Sequence, residues 1–289
     1  MTHNEISVKI NEYINKMPSL PVSVGKVLQI CNKTNADPTD LNHVISLDPV
    51  LTGRLLKLIN SAYYGLGTHV VSLVRAIIML GINTVKNIAL SSAVMATLHK
   101  NKTLAGLNMD GYWRHCLCVG VTAKLLAIRQ GVDKYMTEEY FTAGLLHDIG
   151  KIPMNAVLSS EYSCVISEAD KNKKSLIVAE NDILGIDHCA AGVMIIKEWK
   201  LEGPVADVIL YHHDPLAYSG ENSNYINIIA LANYFSSIYD IGFAGDRCNS
   251  KPEQEIWEAT GINEDIFEEL KENVRREIQK AEIFLKIHN

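Results

Sequence analysis

The stretch FTAGLLHDIGKIP, residues 141–153, sets the tightest limit on how this chain can fold. Phe141, Leu145 and Leu146 recur at helical spacing, so one face of this segment is apolar and belongs in a core. Gly150 and then Pro153 are expected to stop the helix. His147 and Asp148 therefore arrive at a helix end. Successive residues on a regular helix point about 100° apart, so this pair can share one ion only where the backbone turns. A His and an Asp buried side by side must be paired, hydrogen-bonded or bound to metal, since an unpaired charge in a core costs several kcal/mol. A structural His–Asp hydrogen bond is the simpler account of an isolated pair. Further ligands elsewhere in the chain decide between the two.

At 289 residues, 47% hydrophobic and 21% charged, the chain has room for two core-forming units or one large domain. The first residues, MTHNEISVK, are polar, and no apolar run reaches membrane-spanning length, which points to a cytoplasmic protein. Cys31, Cys116, Cys118, Cys164, Cys189 and Cys248 form no CxxC pair, as expected of reduced thiols and not of a zinc ribbon or finger. The net charge of −6 is uneven: residues 1–105 carry a balance of +5 and the rest −11. Such halves can dock on each other or meet different partners. Neither half has a dense Lys/Arg run with interleaved aromatics, which argues against nucleic acid as a partner.

Helical patterns follow one another along the chain. Ile6, Ile10, Tyr13 and Ile14 predict a first helix that Pro18 ends, and Val24, Val27, Leu28 and Cys31 predict a second. Asp37-Pro38 and Asp48-Pro49 each combine an N-cap with a proline at the first helical position, where its missing N–H is no loss. The helix after Asp48 places Val50, Leu51, Leu55, Leu58 and Ile59 on one stripe. Ser72 starts a helix that ends at Gly81, and Asn83 is the expected cap of the next. That pair, joined by LGIN, imitates a helix-turn-helix, but NTVKNIALSSAV is too apolar for a recognition helix and reads as core. The looser LAGLNMDG suggests a division into an N-terminal helical unit, 1–105, and a second unit, 106–289. Strand alternation and Asn-Gly or Asp-Gly hairpins are nearly absent, so the fold class is all-α.

Within the second unit His115, His147, Asp148, His188, His212 and His213 all fall at or near helix ends. Each alone has an ordinary explanation; the tandem His212-His213, for example, suits a helix C-terminus. Together they form a ligand set: imidazole with carboxylate suits Fe, Mn, Zn or Ni, and a shared ion can activate water.

The order of these residues resembles the HD superfamily of metal-dependent phosphohydrolases. More closely, MPSLPVSVGKVLQICN, DPVLTGRLLKLINSAYYGLG, VVSLVRAIIMLGINTVKNIAL, YWRHCLCVGVTAKLLA, FTAGLLHDIGK, LGIDHCAAGVMIIKEWKL and HHDP, about residues 15–216, resemble the HDOD domain. The resemblance implies a bacterial, all-helical regulatory module in which an N-terminal helical unit is added to an HD-like one. It implies that His115, His147 and Asp148 match the first metal ligands and that His188, His212 and His213 match those of a second metal. Lys151 matches a residue that reaches phosphate. The closing Asp of the superfamily is replaced by Asn233, a neutral and weaker ligand, and the Gly-Tyr-Pro of the cyclic-dinucleotide branch is replaced within HHDPLAYSGENSNY.

Two main readings follow. One is a signalling module that keeps the fold and a degenerate metal site and acts through protein partners. The other is a metal-dependent phosphohydrolase on a nucleotide or cyclic dinucleotide, with Lys151 on phosphate; a module that binds metal or a nucleotide ligand only to sense it lies between. The loss of the carboxylate at Asn233 favours the first.

Overall fold

In the computed structural model the described residues are 2–33, 35–98 and 106–287, and they form helices with no strand among them. Residue 105, at the division expected from the sequence, lies outside the described residues. The N-terminal helices are α1 (His3–Lys16), α2 (Val22–Cys31), α3 (Pro38–Ser46), α4 (Pro49–Ile59), α5 (Leu73–Leu80) and α6 (Ile82–Leu98). Then come α7 (Met109–Arg129), α8 (Thr137–Leu146), α9 (Lys151–Val157), α10 (Ser159–Asn172), α11 (Leu176–Leu184), α12 (His188–Trp199) and α13 (Pro204–Tyr211). After a short 3-10 turn, Pro215–Ala217, the chain closes with α14 (Ser223–Ile238), α15 (Gln254–Thr260), α16 (Glu264–Ala281) and α17 (Ile283–Lys286).

Local chemistry explains most starts. Thr2 and Glu5 form a capping box on α1, whose Ile6, Ile10 and Ile14 are buried. Asp37 accepts from the Thr39 amide and Asp48 from the Leu51 amide, each ahead of a proline that opens the helix. Ser72 caps α5 and Gly81, at φ 84°, closes it. Asn83 does not cap α6: it is the second residue of that helix, and its amide donates to the Tyr135 carbonyl. Val50 is off the α4 stripe and 61% exposed, because it sits in the first turn on the side away from Leu51 and Leu55.

Two departures concern the organising segment. Helix α8 ends at Leu146, and a turn through residues 147–150 leads straight into α9, with Pro153 in its first turn. Proline is tolerated there because the first-turn N–H groups have no intrahelical acceptor. Gly150 has an ordinary right-handed φ of −67°, so its role is not conformational freedom. A Cβ at this position would lie 1.9 Å from the His188 carbonyl oxygen and 2.5 Å from the Gly192 nitrogen. Its bare backbone lets α9 and α12 touch.

Helices α7 and α8 form the centre of the molecule, and α13 and α14 pack against α8. The α7–α8 crossing is close because glycines face each other: a Cβ on Gly144 would stand 2.7 Å from the Gly120 Cα. Helix α6 is buried on nearly every side, including Val85, Ile88, Ala89 and Val94, and meets α5 at 114°. It packs on α8 and has no free face for a groove of nucleic acid. Among the described residues no single helix is long and apolar enough to cross a membrane.

Buried charges join the N-terminal helices to α8. Glu138 accepts from Tyr64 and Lys124, both at 2.6 Å, and Glu139 pairs with Lys86 at 2.9 Å. Tyr63, Phe141 and Phe284 cluster with ring centroids 4.9–5.6 Å apart, which fastens the C-terminal α17 to the same place. Helix α1 packs against α9 and α12. The charged α16 buries Phe267, Val274, Ile278 and Ala281 along one stripe and leaves its acidic face to solvent.

Candidate metal centre

The helix ends converge on Asp148. His115 comes from the second turn of α7, His147 and Asp148 from the turn after α8, His188 from the first position of α12, and His212 and His213 from the turn after α13. Asp148 is fully buried, and His115, His147, His188 and His212 are each at most 6% exposed. His147 Nε2 stands 3.3 Å and His115 Nε2 3.6 Å from Asp148 Oδ2. On the other oxygen, His188 Nε2 stands 3.3 Å and His212 Nε2 3.6 Å from Oδ1. One carboxylate therefore divides two sets, His115/His147/Asp148 and Asp148/His188/His212/His213, with the ligand atoms of each set within 4.8 Å of one another.

The far side of each ring is held. Gly144 and Val208 carbonyls accept from Nδ1 of His147 and His212, at 2.7 and 3.0 Å. Ser236 gives its own proton to the Ile241 carbonyl, so its oxygen accepts from His115 Nδ1 at 3.0 Å. Glu180 accepts from His188 Nδ1 at 2.6 Å, from the His188 amide at 3.0 Å and from Tyr162 at 2.6 Å. A hydrogen bond at Nδ1 fixes each ring with Nε2 aimed inward.

Those inward atoms have no hydrogen-bond partner: Nε2 of His115, His147, His188, His212 and His213, Oδ1 of Asp148 and Oδ1 of Asn233. Polar atoms left without a partner in a buried site are costly, and a bound cation would satisfy them. Ligands bound at about 2.1 Å to one ion stand roughly 3.0–3.5 Å apart. The four separations around Asp148, 3.3–3.6 Å, lie at the upper edge of that range, so the donor set fits a divalent metal.

Burial drives His115 down to about 3 and His213 well below its ordinary value. Burial also opposes charge on His188, but Glu180 outweighs it and holds this imidazole well above the usual range. For Asp148, burial is outweighed by His147 and Lys151, which hold the carboxyl well below the usual carboxylate range. Lys151, 2% exposed, places Nζ 2.7 Å from Asp148 Oδ2, and that carboxylate keeps it charged against burial. Asn233 is 5% exposed, one turn before Ser236 on α14. With His212 and His213 it floors a pocket of about 230 Å³ whose walls include Ser175, Pro215, Tyr234 and residues 249–253.

The structure thus brings all six sequence-predicted ligand candidates together, with Lys151 against them and Asn233 beside them. Sequence reasoning missed Glu180, Ser236, Tyr162 and Cys189. Glu180 had a signal, since it falls in phase with the buried Leu176, Ala179 and Leu184 of α11. Burial works to raise the Cys189 thiol, but His212 and His188 bring it down to about 7.

Several proteins share this architecture. An HDOD domain protein with unknown function from Geobacter sulfurreducens superposes with a TM-score of 0.76 at 25% identity, over 96% of each chain. A Marinobacter aquaeolei protein provisionally named for signal transduction gives a TM-score of 0.75 at 19% identity, over 99% of this chain and 66% of that one. A Shewanella amazonensis protein provisionally named a phosphohydrolase gives 0.70 at 22% identity, over 97% and 98%. An uncharacterized Treponema pallidum protein is 24% identical over 234 residues, 79% of this chain, and the chain spans 44% of its length. The sequence signature of the HDOD domain matches residues 17–215, from the end of α1 to the turn after His212 and His213. With that match across the fold and the whole histidine cluster, the chain belongs to the HDOD domain family.

Proposed function

We propose that this protein is a signalling module that acts through protein contacts and whose fold is fastened by a divalent metal at the Asp148 centre. The observation that carries this reading is the set of unpartnered Nε2 atoms around a single carboxylate, with the amide of Asn233 where a closing carboxylate is expected. His188, His212, His213 and Asp148 are the residues that would hold the ion, which supplies Lewis-acid charge when bound. The chain's own groups orient the ligands: Glu180 fixes His188, Gly144 fixes His147 and Ser236 fixes His115. Because these ligands come from the ends of α8, α12 and α13, cross-linking them stiffens the helix ends around α8. The N-terminal helices dock on that same helix through Glu138 and Glu139. They also present Val22, Leu47, Val71 and Ile78 at 69–77% exposure, apolar surface of the kind that partner proteins cover.

The phosphohydrolase reading rests on the pocket that reaches His212, His213 and Asn233 from the surface. One experiment separates the two. Protein purified without chelator is assayed for bound transition metal, melting temperature and hydrolysis of bis(p-nitrophenyl) phosphate, before and after metal removal. The signalling reading expects a metal whose removal lowers the melting temperature, with no hydrolysis above the Asp148→Ala background. Stabilisation is about 4 kcal/mol at a free metal concentration a thousand times its Kd. Metal-dependent hydrolysis that Asp148→Ala abolishes would overturn it in favour of the enzyme.

A further inference from the structure

We infer that the centre takes one metal ion, in the half made by His188, His212, His213 and Asp148, because the Lys151 ammonium is the resident cation of the other half. The inference rests on the metal-binding reading above and narrows it to a stoichiometry and a place. By geometry both halves are competent, since each gathers its ligand atoms within 4.8 Å. The two halves differ in what Asp148 offers them. Oδ2, which faces His115 and His147, is engaged by Lys151 Nζ at 2.7 Å. Oδ1, which faces His188 and His212, has no hydrogen-bond partner.

Charge deepens the difference. The first half offers His115, His147 and the engaged oxygen, and it already holds one positive charge on Lys151. A second dication there would share one carboxylate with both the first ion and an ammonium, among side chains at most 6% exposed. Like charges that close in a poorly screened interior repel strongly. Lys151 cannot swing away at little cost. It is 2% exposed and rises from the first turn of α9, which Gly150 presses against the His188 carbonyl. Fold and lysine position are thus tied to the same helix contact that sets His188.

The test uses full-length protein stripped of metal, reloaded with excess Co(II), desalted and measured by elemental mass spectrometry, with circular dichroism as the check on folding. The native chain should retain one ion per chain. His188→Ala should lose it, and His115→Ala should keep it. Lys151→Met combined with Asn233→Asp should raise the count to two, because Oδ2 of Asp148 is then free and a second carboxylate stands beside the histidines. Two ions in the native chain would overturn the inference, as would an ion that His115→Ala loses and His188→Ala keeps. No ion in the native chain would instead overturn the metal-binding reading beneath it. The comparison of the two histidine variants stands even if the double variant does not fold.

Discussion

Replacing Gly150 with alanine tests whether the close contact of α9 and α12 builds the metal centre. The backbone of Gly150 needs no special conformation, so the whole effect comes from one methyl group. That methyl would stand 1.9 Å from the His188 carbonyl oxygen, 2.5 Å from the Gly192 nitrogen and 2.9 Å from the His188 carbonyl carbon. All three are backbone atoms, which cannot rotate out of the way. Restoring an ordinary contact of 3.4 Å moves the two helices apart by about 1.5 Å. Overpacking of this kind costs about 1–3 kcal/mol, and a rigid obstacle puts Gly150→Ala at the upper end. For a chain of this length each kcal/mol is worth roughly 2–3 °C, so the melting temperature should fall by about 6 °C or more. His188 travels with α12, and a displacement far above the ~0.2 Å tolerance of ligand distances should reduce metal affinity at least about tenfold. The control is Gly53→Ala in the middle of α4, where an added Cβ meets nothing within 4 Å. There the methyl only removes backbone freedom, and a gain of about 0.5–1 kcal/mol is expected. Thermal unfolding and metal content of both variants check the pair. A Gly150→Ala protein that melts with its parent and keeps full metal content would refute the argument.

Two further outcomes follow from buried charge. Glu138→Ala leaves Lys124, whose side chain is 21% exposed, without its carboxylate and should cost about 3 kcal/mol in urea unfolding; a loss within error of zero would show that this ion pair does not fasten α7 to α8. His115 is held at about 3 against an ordinary 6.5, so the unfolded chain takes up its proton first as the pH falls. Metal-free protein should therefore keep this contribution above pH 6.5 and lose stability progressively below it, toward pH 3. His115→Gln should flatten that slope in chemical unfolding between neutral pH and about 4; an unchanged slope would assign the acid sensitivity to other groups.

Features read from neighbouring residues are well recovered. The caps at Asp37, Asp48 and Ser72 form as expected because each involves an amide two or three positions away. The apolar stripe of α1 is buried for the same local reason. Errors arise where a residue answers to something distant. Asn83 has the chemistry of a cap but is drawn to the Tyr135 carbonyl across the α6–α8 junction. Gly150 and Pro153 look like stops, yet one is a contact point with α12 and the other sits in the first turn of α9. Helix α15 was not expected, since Gln254–Thr260 is short and its burial rests on Ile256 and Trp257 against α14 and α16.

The sequence by itself determined an all-helical chain, its HDOD kinship and the residues whose chemistry suits a metal, because periodicity, caps and motif order are written in adjacent positions. Only the tertiary structure decided which atoms of those residues meet. It set Glu180 behind His188 and Ser236 behind His115, a partner 121 positions away. It also turned one oxygen of Asp148 to Lys151 and left the other open. Ring tautomers, charge balance and the division of a carboxylate depend on distances of about 3 Å between separate helices. Those distances are set by how closely backbones pack, as at Gly120, Gly144 and Gly150, and spacing along the chain does not encode them.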